Sequence, residues 1–229
     1  MISSQNRTNG KQPLASAAYE KIYQKIITLE YEPGVKLEEN QLVEQLGLGR
    51  TPVREALLRL VSDMIVESHS NIGFIVRPIT LQNTKSVFTA LQILELGVAD
   101  LAVQHDISAF LPPMAEANQA VKAAMKEMDI LKLVDANSAF HRQFALCSKN
   151  EYLVMSLHKV RCESNRLAYL SYGNEIDPAR NLQEHYDSVV REHDDIITGL
   201  KTRDIDRLQD TLCQHIRTFQ KRIIHYMGF

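Results

Sequence analysis

Tryptophan is absent from the 229 residues, and glycine and proline are scarce, at nine and seven. That scarcity excludes collagen-like and low-complexity chains and, with abundant Leu, Ile, Ala, Glu and Gln, favours helices. Only three cysteines occur, Cys147, Cys162 and Cys213. An odd, widely spaced set excludes a disulfide framework and fits a reducing cytoplasm. No stretch approaches the roughly 18 apolar residues of a membrane span, so no membrane partner is expected. Residues 1–13 are polar and lack the apolar core of a signal peptide. There is no excess of basic charge either. The net charge is −2, and residues 1–80 hold nine Lys and Arg against nine Asp and Glu. Any nucleic-acid surface must therefore be local. A Walker loop, a dinucleotide-binding glycine motif and a nucleophile elbow are all missing, which removes the main nucleotide-using and serine-hydrolase classes.

What is present divides at Pro78. Residues 1–14 read as a disordered arm, and 15–78 as a small DNA-binding module. Helical spacing starts near Ser16, with Ala18, Ile22, Ile26 and Leu29 on one stripe, and stops at the turn signal Glu32-Pro33-Gly34. A short helix follows, with Leu42 and Leu46 inward and Gly47 at its end. In the next helix Thr51 reads as the N-cap and Pro52 as the first helical residue. Arg50, Arg54 and Arg59 lie before and along it. The β-prone runs Ile65–Ser68 and Phe74–Arg77 flank Ser70-Asn71-Ile72-Gly73, giving a hairpin. Three helices and a hairpin in this order form a winged helix-turn-helix. Arginines at the start of its third helix suit guanine edges and phosphates in the major groove. A glycine at the wing tip lets backbone approach DNA closely.

From residue 79 to 229 the periodicity is helical, with helices near 81–105, 107–127, 130–147, 151–172, 178–201 and 204–226. The predicted fold class is therefore mainly α: a winged helix-turn-helix, then an all-α antiparallel bundle. Three histidines fall on inward stripes of that bundle. His141 lies with Leu133, Asn137 and Phe144, His193 with Val189, Ile196 and Ile197, and His215 with Leu208, Leu212 and Phe219. A buried imidazole needs a partner. One such ring is ordinarily a hydrogen-bonded core residue. Three on three helices point to a divalent transition metal, because neutral imidazoles bind such ions and bundles build sites from facing helices. Asn137, one turn before His141, projects the same way. Ser164 and Ser171 on the inward stripe of the 151–172 helix, and Gln92 on the first bundle helix, are candidate effector contacts. Arg161, Asn165, Arg166, Tyr169 and Tyr172 crowd one helix; some could line a pocket, while each taken alone reads as solvent-facing. Glu38-Glu39 and Asp194-Asp195 read as solvated charges.

The string Arg50-Thr51-Pro52-Val53-Arg54-Glu55-Ala56-Leu57, preceded by Pro33-Gly34 and Leu42-x-x-x-Leu46-Gly47, resembles the GntR family of bacterial regulators. That resemblance implies a cytoplasmic homodimer on a pseudo-palindromic operator, with Arg50 and Arg54 at bases, Thr51 at a phosphate and Gly73 at the wing tip. Gly49 stands where the family usually has Ser, and Met64 where Gly usually ends the recognition helix. In the second half, Asn137-x-x-x-His141, Glu192-His193 and Gln214-His215 resemble the FCD effector domain of the FadR subfamily. This implies zinc or nickel on Asn137, His141, His193 and His215, helping to hold a small carboxylate. Asn137 replaces the usual Asp. Leu91, beside Gln92, stands where an Arg is common, four residues before Glu95. The expected function is a repressor whose operator affinity a metabolite modulates. The alternatives are a regulator whose bundle only dimerises and, more remotely, a metal-dependent hydrolase.

Overall fold

The computed structural model describes residues 14–173 and 182–227; the expected arm and the start of the helix expected from 178 lie outside them, although Leu14 already belongs to α1. The head comprises α1 (Leu14–Ile27), β1 (Lys36–Leu37), α2 (Glu39–Leu46), α3 (Arg50–Ser62), β2 (Val66–His69) and β3 (Gly73–Val76). The expected hairpin forms, with Val66 opposite Val76 and His69 opposite Gly73. The sequence pattern does not reveal β1. This two-residue strand pairs with β3 to give the order β1-β3-β2, and its Leu37 joins the head core.

Two corrections concern the ends of α3. Its N-cap is Gly49 rather than Thr51, in extended conformation and without a side chain to cap with. Arg50, Thr51 and Pro52 form the first turn instead. Proline is tolerated there because the first backbone N–H groups of a helix have no internal partner. At the other end Met64 takes the left-handed conformation that glycine favours, at φ 64°. It costs about 1 kcal/mol for a residue with a Cβ, and the side chain reaches solvent.

The bundle contains α4 (Leu81–Ala102), α5 (Leu111–Glu127), α6 (Ile130–Leu146), α7 (Glu151–Tyr172), α8 (Leu182–Thr202) and α9 (Ile205–Tyr226). Thr80, Asp129, Asn150 and Asp204 cap four of these helices through their side chains, each contributing about 1 kcal/mol. Pro112 and Pro113 fall in the first turn of α5, so they start a helix rather than break one. Helices α8 and α9 form an antiparallel hairpin. They approach closely at Gly199, where a Cβ would lie 3.1 Å from the Leu208 Cβ.

Helix α7 departs most from expectation. Cys162, Glu163, Ser164, Asn165, Arg166, Leu167 and Ala168 are buried in succession, all round the helix. One face packs in the bundle, while Cys162 belongs to the core of the head. Arg166 pairs with Glu163 at 2.8 Å and donates to the Arg77 carbonyl at 2.9 Å. Asn165 donates to Tyr23 Oη and Ser138 Oγ. Asp63 accepts from Tyr19 Oη at 2.7 Å and lies 3.6 Å from His158 Nε2. These residues seam head to bundle. The solvent-facing expectation for Asn165, Arg166 and Tyr172 is therefore overturned, because α7 has partners on both sides.

Candidate DNA surface and histidine centre

The head exposes what it would read with. Arg50, Thr51, Arg54 and Gly73 are all exposed. Arg50 and Gly73 line one cleft with Lys36, Glu39 and Phe74, so the start of α3 and the wing share a surface. Gly73 sits at φ 96° and closes the turn Ser70-Asn71-Ile72. Glu39, expected as a solvated charge, instead accepts from Arg54 Nη1 at 3.1 Å and lies 4.0 Å from Arg50 Nε. Arg59 is occupied elsewhere, with its guanidinium 4.0 Å over the Tyr19 ring.

In the bundle, α6, α8 and α9 bring His141, His193 and His215 together, each buried. One nitrogen from each lies within 4.8 Å of the other two. The Nε2 atoms of His141 and His215 are 3.3 Å apart, a spacing that one ion bound at about 2.0–2.1 Å by each nitrogen can span. Each ring is oriented from behind. His193 Nδ1 is 3.0 Å from Asn118 Oδ1, and Asn118 in turn donates to Asp194 at 2.8 Å. Asp194 is thus exposed yet tied to the centre through one side chain. Phe140 stacks on His193 at 3.8 Å between ring centroids. His215 Nδ1 is 2.7 Å from Glu192 Oε2. These acceptors select the tautomers that present Nε2 to the shared space.

His141 has two neighbours at Nδ1. Arg161 Nη2 lies 2.7 Å away as a donor, and Glu95 Oε1 at 3.5 Å as an acceptor. Arg161 and Glu95 also pair with one another. With Arg161 donating to Nδ1, the His141 proton sits on Nε2 and points at His215 Nε2; binding an ion through Nε2 would need that proton moved to Nδ1, where Glu95 can accept it. Burial holds His141 and His193 well below the ordinary imidazole range, and the neighbouring His215 adds to this, so both rings are neutral at pH 7. Neutral rings keep the lone pairs that a metal requires.

The residues fit a metal by a further observation. Buried Asn137 Oδ1 and His193 Nε2 have no hydrogen-bond partner, which native proteins rarely leave uncompensated. Asn137 and His215 line a cavity of about 20 Å³ with Arg161, Tyr172, Glu192 and Thr218. That holds about one water-sized group. Gln92, Ser164 and Ser171 are not among its lining residues. Gln92 reaches Cys213 Sγ at 3.7 Å, Ser164 is buried in α7, and Ser171 accepts from Arg222 Nε at 2.7 Å. Two of the α7 residues that could line a pocket do so here, Tyr172 and Arg161, although Arg161 taken alone reads as solvent-facing. Its position on the stripe Leu157-Arg161-Ala168 is the available signal.

Comparison with known proteins agrees along the chain. Residues 14–76 match the family described as bacterial regulatory proteins, gntR family, and residues 86–218 match the FCD domain. The HTH-type transcriptional repressor RspR of Escherichia coli K12 is 19% identical over 222 residues, 97% of this chain and 94% of its own. The gluconate operon transcriptional repressor of Bacillus subtilis is 22% identical, covering 90% and 83%. The solved structure of E. coli McbR/YncC has the same fold, with a TM-score of 0.77 at 22% identity over 95% of this chain and 99% of that one.

Proposed function

The chain belongs to the GntR family of bacterial regulatory proteins and carries an FCD domain, and from that premise we propose that it is a homodimeric repressor whose operator affinity follows a metal-assisted acid ligand. That it is a DNA-binding transcription regulator and not an enzyme follows from the family. In the proposal, Arg50 and Arg54 read bases, Thr51 meets a phosphate and Gly73 brings the wing close. Arg54→Ala is then expected to weaken operator binding by about 1–3 kcal/mol at fixed salt, with unchanged melting. Repression is supported by the two named repressors among its relatives. Dimerisation is supported by the outward stripe of α4, where Thr89 is exposed, Ile93 is 66% exposed and Leu96 and Gly97 are half-buried.

The observation that carries the bundle's role is the set of three buried, converging imidazoles, with His193 Nε2 and the adjacent Asn137 Oδ1 left without a hydrogen-bond partner. His141, His193 and His215 would hold zinc or nickel, with Asn137 Oδ1 as an uncharged fourth ligand. Bound there, the ion would supply a positive charge that attracts a carboxylate. Arg161 on the same cavity supplies a second one, in the role that Leu91 cannot fill. Glu95, Asn118 and Glu192 orient the rings.

Metal content by mass spectrometry tests this on natively purified, untagged protein beside His193→Ala. About one ion per chain, lost in the variant, is the expected result. No ion in either leaves the second reading, a bundle that only dimerises, which the uncharged Asn137 favours. Acids that bind without changing operator affinity at fixed salt would also remove the regulatory claim.

A further inference from the structure

Beyond the histidine centre the α8/α9 hairpin opens. From the close contact at Gly199 and Leu208 the two helices run through Glu192 and His215 and then part. Between them lies a cleft of about 630 Å³, thirty times the inner cavity and in the range of small-ligand sites. Two facing stripes line it, at helical spacing: Ser188 and Arg191 on α8, and Thr218, Lys221, Arg222 and His225 on α9. Arg191, Lys221 and Arg222 are cations, and among the described lining residues Glu184 is the one carboxylate. Arg222 is buried, and its Nε and Nη2 are fixed on Ser171. Ser171 thus holds the Arg222 side chain in the wall of the cleft. His185 and Thr218 line the cleft and the inner cavity alike, so the two adjoin.

The size difference divides the work. The inner cavity holds little beyond an ion or one small group, so the body of an organic ligand anchored there would extend into the adjoining cleft. The cleft's cationic lining selects a second anionic group there. Six residues separate His215 from Lys221, about 9 Å along α9. We propose that the cleft is an anion subsite and that the preferred effector is an extended organic acid with a second anionic group about 9 Å from the first. This rests on the reading that the inner cavity takes one carboxylate.

Calorimetric titration of the full-length protein with linear diacids and monoacids of equal carbon number tests it: succinate, adipate and suberate against butyrate, hexanoate and octanoate. Suberate is expected to bind at least about tenfold more tightly than octanoate, the gain of one charge-assisted contact, and to lose that margin at high salt. Succinate is too short to gain over butyrate. The double variant Arg191→Gln, Lys221→Gln changes two exposed positions and leaves Arg222 in place. It should bring suberate down to octanoate while leaving octanoate unchanged. Equal binding of suberate and octanoate by the wild type overturns the subsite and spares the inner reading. So does a suberate margin that survives the double variant. Suberate binding that depends on Arg191 and Lys221, with no saturation by octanoate, keeps the subsite and removes the inner reading. Failure of all six acids to bind removes both.

Discussion

Histidines at the seam and histidines at the centre of the bundle are held in opposite charge states. His158 sits half-exposed beside the Asp63 carboxylate, whose hydrogen bond, with a contact from Cys162, pushes its pKa up to about 10. His141 and His193 are buried among other imidazoles, and desolvation pushes them the other way. One residue type thus makes an ion pair between domains in one place and a set of neutral lone pairs in the other. The difference comes from burial and from the nearest charge. A histidine's role is accordingly read from its neighbours, not from its place on a stripe.

The largest effect is expected at the seam. Arg166→Ala leaves Glu163 buried without its cation, and such losses cost about 3–5 kcal/mol. Denaturant unfolding should register this as a clear fall in midpoint. A variant within about 1 kcal/mol of wild type would mean that the pair is not buried in solution. At the centre, acid is the lever. The unfolded chain takes up protons near pH 6.5 and the folded rings do not, so stability falls as pH drops below that value. The limiting slope is about 1.4 kcal/mol per pH unit for each ring. Unfolding of chelator-treated protein between pH 7.5 and 5 measures it, and His193→Gln should remove one ring's share. The smallest effect is that of His158, with the opposite sign. Its folded pKa is raised, so its contribution is whole below pH 6.5 and fades as pH rises towards 10. A half-exposed pair contributes less than about 1 kcal/mol. His158→Ala should flatten the alkaline limb of the melting profile, and an unchanged limb would assign that slope to other groups.

The winged helix and the bundle were legible in the sequence because glycines, turn signals and apolar stripes agree there with the tertiary fold. The three inward histidines were legible for the same reason. Their convergence was not, since a stripe fixes the direction of a side chain but not the height at which facing helices meet. Strand β1 was hidden because two residues carry no periodicity. The burial of Asn165 and Arg166 between head and bundle was not legible, because polar residues ordinarily face water. Here a helix with a domain on either side has no water-facing side along that stretch, so the charges are paired inside. Glu39 was missed because its partner, Arg54, is fifteen residues away along the chain.

Helix α7 is a ruler with two scales. Arg161 meets His141 and Glu95 in the bundle, while the next residue, Cys162, is already in the core of the head, and Arg166 grips the chain leaving it at Arg77. Each residue added to a helix turns the remainder of that helix by about 100°. An insertion or deletion between 161 and 166 would therefore swing one set of contacts off its target whenever the other is kept. The length of this segment is as tightly held as the pairing of its charges, and a one-residue insertion there is expected to cost either the Arg161 contacts or the Arg166 contacts.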